Sequence, residues 1–157
     1  MSVTLSPLTA ADQKKVAHLA VRPEQLRFSG TVAESFADLG SVDFHAILLG
    51  DLPVGMFKID RGYHAAHGFA EPTDLGLRTV IVDATYQGQG LGTAAMRALP
   101  PYLQTHYPQA RRLWLTVNLQ NPAAIASYRK SGFQDTGAIW PHGGAGPQHI
   151  MRLMLTA

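Results

Sequence analysis

Three groups of residues in this chain are of types and spacings that could do chemistry. The first is the stretch Val80-Ile81-Val82-Asp83-Ala84-Thr85-Tyr86-Gln87-Gly88-Gln89-Gly90-Leu91-Gly92-Thr93. An apolar run enters a glycine-rich turn, and the turn opens a segment of helical character. The first amides of a helix have no partner inside it, and the dipole makes that end positive. Glycines let the backbone approach a ligand and take positive φ. The combination suits a pyrophosphate. The second group is Asn121 to Phe133, where Asn121 reads as an N-cap, Pro122 as the first helical residue and Gly132 as the residue past the end. Tyr128 lies two helical turns beyond Asn121, on nearly the same face. An aromatic at helical spacing from Ala124 and Ile125 suits a core. The third group, His64-Ala65-Ala66-His67, offers two ligands without a third, and a solvated loop is expected there rather than a metal site.

Other phosphate-binding patterns do not fit the glycine turn. A Walker A loop ends in Gly-Lys-Ser/Thr, and here Gly92 precedes Thr93-Ala94. A dinucleotide fingerprint from Gly88 and Gly90 wants its third small residue at Thr93 and an acidic residue roughly 20 positions on. No acid occurs between Tyr107 and Leu113. The remaining alternative is a glycine-rich strand–helix connection without a ligand.

Positioning these groups requires a set of strands and helices. Val3–Leu5, Phe44–Leu49, Val54–Ile59, Leu75–Asp83, Leu113–Val117, Phe133–Trp140 and His149–Leu155 read as strands. Asp51-Leu52-Pro53 reads as a hairpin turn. Helices are expected from Thr9, as N-cap, to about Ala20, from Thr31 to Leu39, from Gly90, and from Asn121 to Ser131. Arg22–Gly30 reads as a turn or short helix, and Arg61–Asp74 as a loop. Pro100-Pro101 should end or kink the helix after Gly90 near Leu99. Hairpins at both ends, with helices between, predict an α/β domain on one mixed sheet spanning residues 1–157.

Composition narrows the functional class. The 157 residues are 46% hydrophobic and only 15% charged, which supports a real core and argues against a disordered tail. A formal charge of +2 with scattered Lys and Arg does not suit nucleic acid. Without cysteine there is no disulfide, thiolate zinc site or cysteine nucleophile. No signal peptide or membrane span is read, so a cytoplasmic protein is expected.

Gln87-x-x-Gly90-x-Gly92 resembles the coenzyme A signature of the GCN5-related N-acetyltransferases, (Gln/Arg)-x-x-Gly-x-(Gly/Ala). The stretch Leu113–Val117 followed by Asn121-x-x-Ala124-x-x-x-Tyr128-x-x-x-Gly132-Phe133 resembles the family's second signature. The resemblance is strongest from Leu75 to Phe133. It implies a mostly antiparallel mixed sheet flanked by helices, with strand Leu75–Asp83 splaying from strand Arg112–Val117 to leave a cleft. Acetyl-CoA is the implied co-substrate, and no metal is implied. Backbone groups of Val80, Ile81 and Val82, on a bulged strand, would line the pantetheine arm and hold the acetyl carbonyl. Gly88, Gln89, Gly90, Leu91, Gly92 and Thr93 would supply amides to the pyrophosphate, with Gln87 at the edge of the turn. Asn121 would bond the pantetheine or adenosine side, and Tyr128 would protonate the leaving thiolate. A neutral amine attacks the thioester directly in such enzymes.

The pattern departs from the family at the base. Histone-type members carry a glutamate where this chain has Gly76, and ribosomal-protein N-terminal acetyltransferases carry one where it has Thr116. Asp74, Glu71 and the histidines of the Arg61–Asp74 loop are the candidates for a replacement, with deprotonation through a water chain as the alternative. Val21 to Phe28 resembles the start of bacterial spermine/spermidine-type acetyltransferases, which implies a polyamine or other small amine as acceptor. Glu24, Glu34, Asp38, Asp43, Glu71 and Asp74 are the carboxylates that could receive its charges. The alternatives are a peptide N-terminus or amino acid, or a coenzyme-binding module without catalysis. The expected partners are the small amine and, for assembly, a second copy of the chain, with neither nucleic acid nor membrane.

Overall fold

Seven strands form one open sheet in the order β1-β2-β3-β4-β5-β7-β6. In this computed structural model residues 2–37 and 40–155 are described. The strands are β1 (Thr4–Leu8), β2 (Val42–Leu49), β3 (Leu52–Asp60), β4 (Leu75–Val82), β5 (Arg112–Asn118), β6 (Gln134–Trp140) and β7 (Gln148–Met154). Neighbours run antiparallel except β4 and β5, which are parallel. That parallel pair holds only at Leu75↔Leu113 and Gly76↔Trp114. Beyond those residues the two strands part, as the paired signatures predict.

Alternation along the strands makes two apolar faces. Leu77, Leu115, Val117, Met151 and Leu153 pack against α4 (Leu91–His106) and α5 (Pro122–Lys130), through Ala95, Met96, Leu99, Leu103 and Ile125. On the opposite face Phe44, Met56 and Ile81 meet Val16, Leu19, Val32 and Phe36. These come from α1 (Gln13–Val16), the turn after it, and α3 (Val32–Ala37). The second short helix, α2 (Leu26–Ser29), lies beside β4.

Three local expectations change in the tertiary structure. The helix after Thr9 is shorter than read: a 3₁₀ turn over Ala10–Asp12 leads into α1, which ends at Val16. The chain is then drawn out to the glycine turn, where Asp83 accepts from the Ala20 amide at 2.9 Å and the Ala84 amide donates to Ala20 at 2.7 Å. The hairpin turn is Gly50-Asp51, with φ +62° at Gly50, and Leu52 and Pro53 already belong to β3. Helix α4 does not end at Leu99 but runs through Pro100 and Pro101 to His106. Leu99 and Leu103 are fully buried one turn apart. Burying a leucine contributes about 1.5–3 kcal/mol, which offsets the hydrogen bonds the prolines cannot make. The helix read at Thr31–Leu39 is α3, and its last two expected residues, Asp38 and Leu39, lie outside the described residues.

Gly76 shows how tightly the loop over residues 61–74 is packed. A Cβ at Gly76 would lie 1.8 Å from Cδ1 of Tyr63, a side chain only 2% exposed. Gly76→Ala is therefore expected to lower stability by about 1–3 kcal/mol, the usual range for overpacking. The denaturation midpoint checks it; an unchanged midpoint would mean the Tyr63 ring yields freely.

Candidate active site

Strand β4 carries one residue too many for its partner. Phe57 of β3 pairs with Val80 and Lys58 with Arg78, leaving Thr79 between them at φ +51°. A β-branched residue in the left-handed region is strained, and such strain concentrates at functional positions. The bulge shifts the alternation: Leu77 and Val80 both face the α4 side, and Ile81 faces the other. A bulge also turns a backbone group out of the ladder, here at the edge where β4 parts from β5.

A cavity of about 890 Å³ fills the opening between these strands. Its walls are the bulged part of β4, the start of α4, Leu115 to Asn118 of β5, one face of α5, the α2 segment, and Gly144 and Ala145 of the loop before β7. Val80, Val82, Gln87, Gly88, Gly90, Leu91, Gly92, Thr93, Asn121 and Tyr128 all line it. Two of the residues read from the sequence do not. Ile81 turns its side chain into the opposite core, and Gln89 is exposed outside the cavity wall.

The glycine turn is shaped for an anion. Gly88 and Gly90 have φ of +81° and +76°, and a Cβ built on either would meet nothing within 4 Å. The turn backbone is thus open to a ligand. The first intrahelical bond of α4 runs from the Ala94 amide to Gly90, leaving the Leu91, Gly92 and Thr93 amides without a partner inside the helix. Gln87 braces the turn: its amide nitrogen donates to the Val82 carbonyl at 2.9 Å, and its side chain exchanges two hydrogen bonds with Gln25 at 2.9 and 3.1 Å. Thr93 bonds Ser127 across 3.0 Å, joining α4 to α5.

Helix α5 presents Asn121 and Tyr128 to the same cavity. The Asn121 Oδ1 accepts from the Ala124 amide and caps the helix, as its position implies. The Tyr128 ring rests edge-on against Phe133, with centroids 5.4 Å apart. Burial pushes its phenol up to about 12, so the group keeps its proton throughout the neutral range. The hydroxyl can donate but cannot serve as a base there.

Gln25 and Phe28, from the Val21–Phe28 stretch singled out in the sequence, reach the same wall, and residues the sequence did not mark join them from α2, β4, β5 and β7. The latter include Ser29, Thr79, Asn118 and Gln148. The resemblance implied a bulge on this strand, β4, but its place at Thr79 depends on the register with β3. Arg27 also lines it and donates to Gln120 at 3.1 Å, spanning from α2 to the loop before α5.

Among the described residues, none of the carboxylates or histidines considered as bases or cation receptors lies in this wall. Asp74 is fully buried and accepts from Arg112, Trp114 and the Glu71 amide at 3.2, 2.8 and 2.9 Å. Asp43 pairs with Arg61 and accepts from Tyr107. Glu34 caps its own helix through Thr31. Glu24 and Glu71 are exposed outside the cavity. His67 is stacked on Tyr63 with centroids 3.8 Å apart, and burial lowers its pKa. Asp38 lies outside the described residues. No helix among the described residues is long and apolar enough to cross a membrane.

Comparison with known proteins gives the same picture of the fold and signatures. The chain is 34% identical to the uncharacterized N-acetyltransferase YbbJ of Bacillus subtilis (strain 168) over 92 residues, a match spanning 58% of each protein. It is 31% identical to the N-alpha-acetyltransferase RimI of Mycobacterium tuberculosis (strain ATCC 25618 / H37Rv) over 141 residues, 86% of this chain and 80% of that one. It is 25% identical to the spermine/spermidine N(1)-acetyltransferase of Bacillus subtilis (strain 168) over 147 residues, 88% of this chain and 92% of the relative. A structure of AAC(6')-Ib in complex with Parmomycin and AcetylCoA superposes with a TM-score of 0.79 at 23% identity, covering 98% of this chain and 94% of that one. The model of the acetyltransferase (GNAT) family matches residues 13–133, which include the bulged strand, the glycine turn and the Asn121–Phe133 helix. The chain belongs to the acetyltransferase (GNAT) family.

Proposed function

We propose that the chain transfers the acetyl group of acetyl-CoA to a primary amine within a ternary complex, and that the acceptor is not a polycation. Acetyl-CoA supplies, when bound, a thioester whose sulfur can leave as a thiolate. The amides from Gly88 to Thr93 hold the pyrophosphate, with Gln87 and Gln25 keeping the turn in shape. Backbone groups of Val80, Ile81 and Val82 line the pantetheine arm, and an amide freed by the Thr79 bulge faces the developing oxyanion. Asn121 bonds the coenzyme from α5. Tyr128 holds a proton ready for the leaving sulfur. Val21 and Phe28 close one side of the cleft with apolar surface.

The observation that carries the acceptor reading is the charge of the wall. Among the described residues lining the cleft there is no carboxylate, and the charged side chain present is Arg27. A polyamine needs acidic receptors for its ammonium groups; a peptide N-terminus or an amino acid needs none. The polyamine reading remains the second one, favoured by the relative named spermine/spermidine N(1)-acetyltransferase. Thiol release with a panel of amines separates them. A peptide N-terminus is expected to exceed spermidine by at least about tenfold in kcat/KM, roughly 1.4 kcal/mol. Preference for spermidine would select the polyamine reading, and tight coenzyme binding without turnover would select a non-catalytic module.

A further inference from the structure

An amine attacks only as the neutral species, so something must remove the proton that alkylamines carry at neutral pH. Among the described residues, the cleft wall holds no side chain suited to accepting that proton. Among the described residues lining it, none is Asp, Glu, His or Lys. The groups facing the cleft are Arg27 from α2, Tyr86 before the glycine turn and Tyr128 from α5. On the sheet side Thr116 lines it, with the Tyr63 phenol nearby. Burial pushes the Tyr63 phenol up to about 12, so it too stays protonated. Arg78, next to Thr79, is paired with Asp60 at 3.2 Å. Asp60 also accepts from Ser41 and from the Gly62 amide, and its carboxyl lies below its usual range. Asp83 is turned to the Ala20 amide. Arg27 further disfavours a bound ammonium, because a like charge lowers an amine's pKa.

We propose that this cleft works without a side-chain base and therefore selects its acceptor by the amine's own basicity. The chemical class is an α-amino group beside a carbonyl, as at a peptide N-terminus or in an amino-acid amide, in preference to alkylamines. This rests on the acetyl-transfer reading above. The neutral nitrogen forms a bond to the acetyl carbon, and the carbon–sulfur bond breaks. The sulfur keeps the electron pair and takes the Tyr128 proton. The surplus proton on nitrogen leaves to water, and solvent returns a proton to Tyr128. At pH 7 an α-amino group of pKa about 7.7–8.0 is roughly one-tenth to one-sixth neutral, whereas an alkylammonium of pKa about 10.4 is neutral in about one molecule per 2,500. The resulting preference is a few hundred-fold.

The test is kcat/KM for the acceptor at saturating acetyl-CoA from about pH 6 to 10, for amines whose pKa values run from about 8 to 10.4. The expected result is an ascending limb of unit slope whose inflection moves with each acceptor's own pKa. Recalculated on the neutral amine alone, the few-hundred-fold preference should largely vanish. A limb fixed at one pH for every acceptor reports a proton acceptor on the protein and overturns the inference while leaving acetyl transfer intact. Absence of thiol release with every amine overturns the transfer reading itself, and this inference with it.

Discussion

Gly92→Glu is expected to weaken acetyl-CoA binding by at least about 100-fold, equivalent to about 2.7 kcal/mol, while leaving the fold as stable as before. Gly92 is the second residue of α4 and lines the cleft beside the glycine turn. A Cβ there meets only Val82 Cγ2, at the ordinary distance of 3.6 Å. Glycine inside a helix costs about 0.8–1.0 kcal/mol relative to alanine, and an acid in the first turn is favoured by the dipole. The substitution therefore suits the protein and opposes the ligand, since it places a carboxylate where a pyrophosphate would meet the Leu91, Gly92 and Thr93 amides. Charge-assisted hydrogen bonds of this kind contribute about 1.5–3 kcal/mol each. Gly90 makes a poorer probe, because its φ of +76° would strain any side chain. Calorimetric titration together with thermal unfolding checks the claim. Unchanged affinity would remove the turn from the coenzyme site.

Tyr128→Phe is expected to lower kcat by about 10–100-fold, a barrier change of about 1.4–2.7 kcal/mol, with KM for acetyl-CoA nearly unchanged. The ring keeps its packing on Phe133 and only the hydroxyl is lost. General acids typically contribute about 10²–10⁴-fold, and a thiolate leaves well enough to place this one at the lower end. Because burial holds the phenol near 12, no descending limb from Tyr128 should appear in the wild-type pH profile below about pH 10. Single-turnover measurements isolate the chemical step. Full turnover in the Phe variant there would make Tyr128 a packing residue.

Much of the cleft wall was legible because it is local. A strand, a glycine turn and a helix start follow one another in sequence, and Asn121 and Tyr128 share one helix face through a fixed period of 3.6 residues. The splay between β4 and β5 was also within reach, since both signatures sit at the ends of those strands. Helix α4 was not, because its passage through Pro100-Pro101 depends on Leu99 and Leu103 finding a full core elsewhere in the chain.

The amino-acid sequence by itself determined the family, through its two signatures, and the mixed sheet and the strand–glycine turn–helix order, which follow from short-range periodicity, capping and glycine conformation. The tertiary structure alone decided the character of the acceptor side. It set Thr79 out of register with β3 and filled the space at Gly76 with the Tyr63 ring. It joined Gln25 to Gln87 across the cleft's edge. It also committed Asp43, Asp60 and Asp74 to Arg61, Arg78 and Arg112. A carboxylate counted in sequence is available to a substrate only if no closer cation claims it, and that depends on which strands become neighbours.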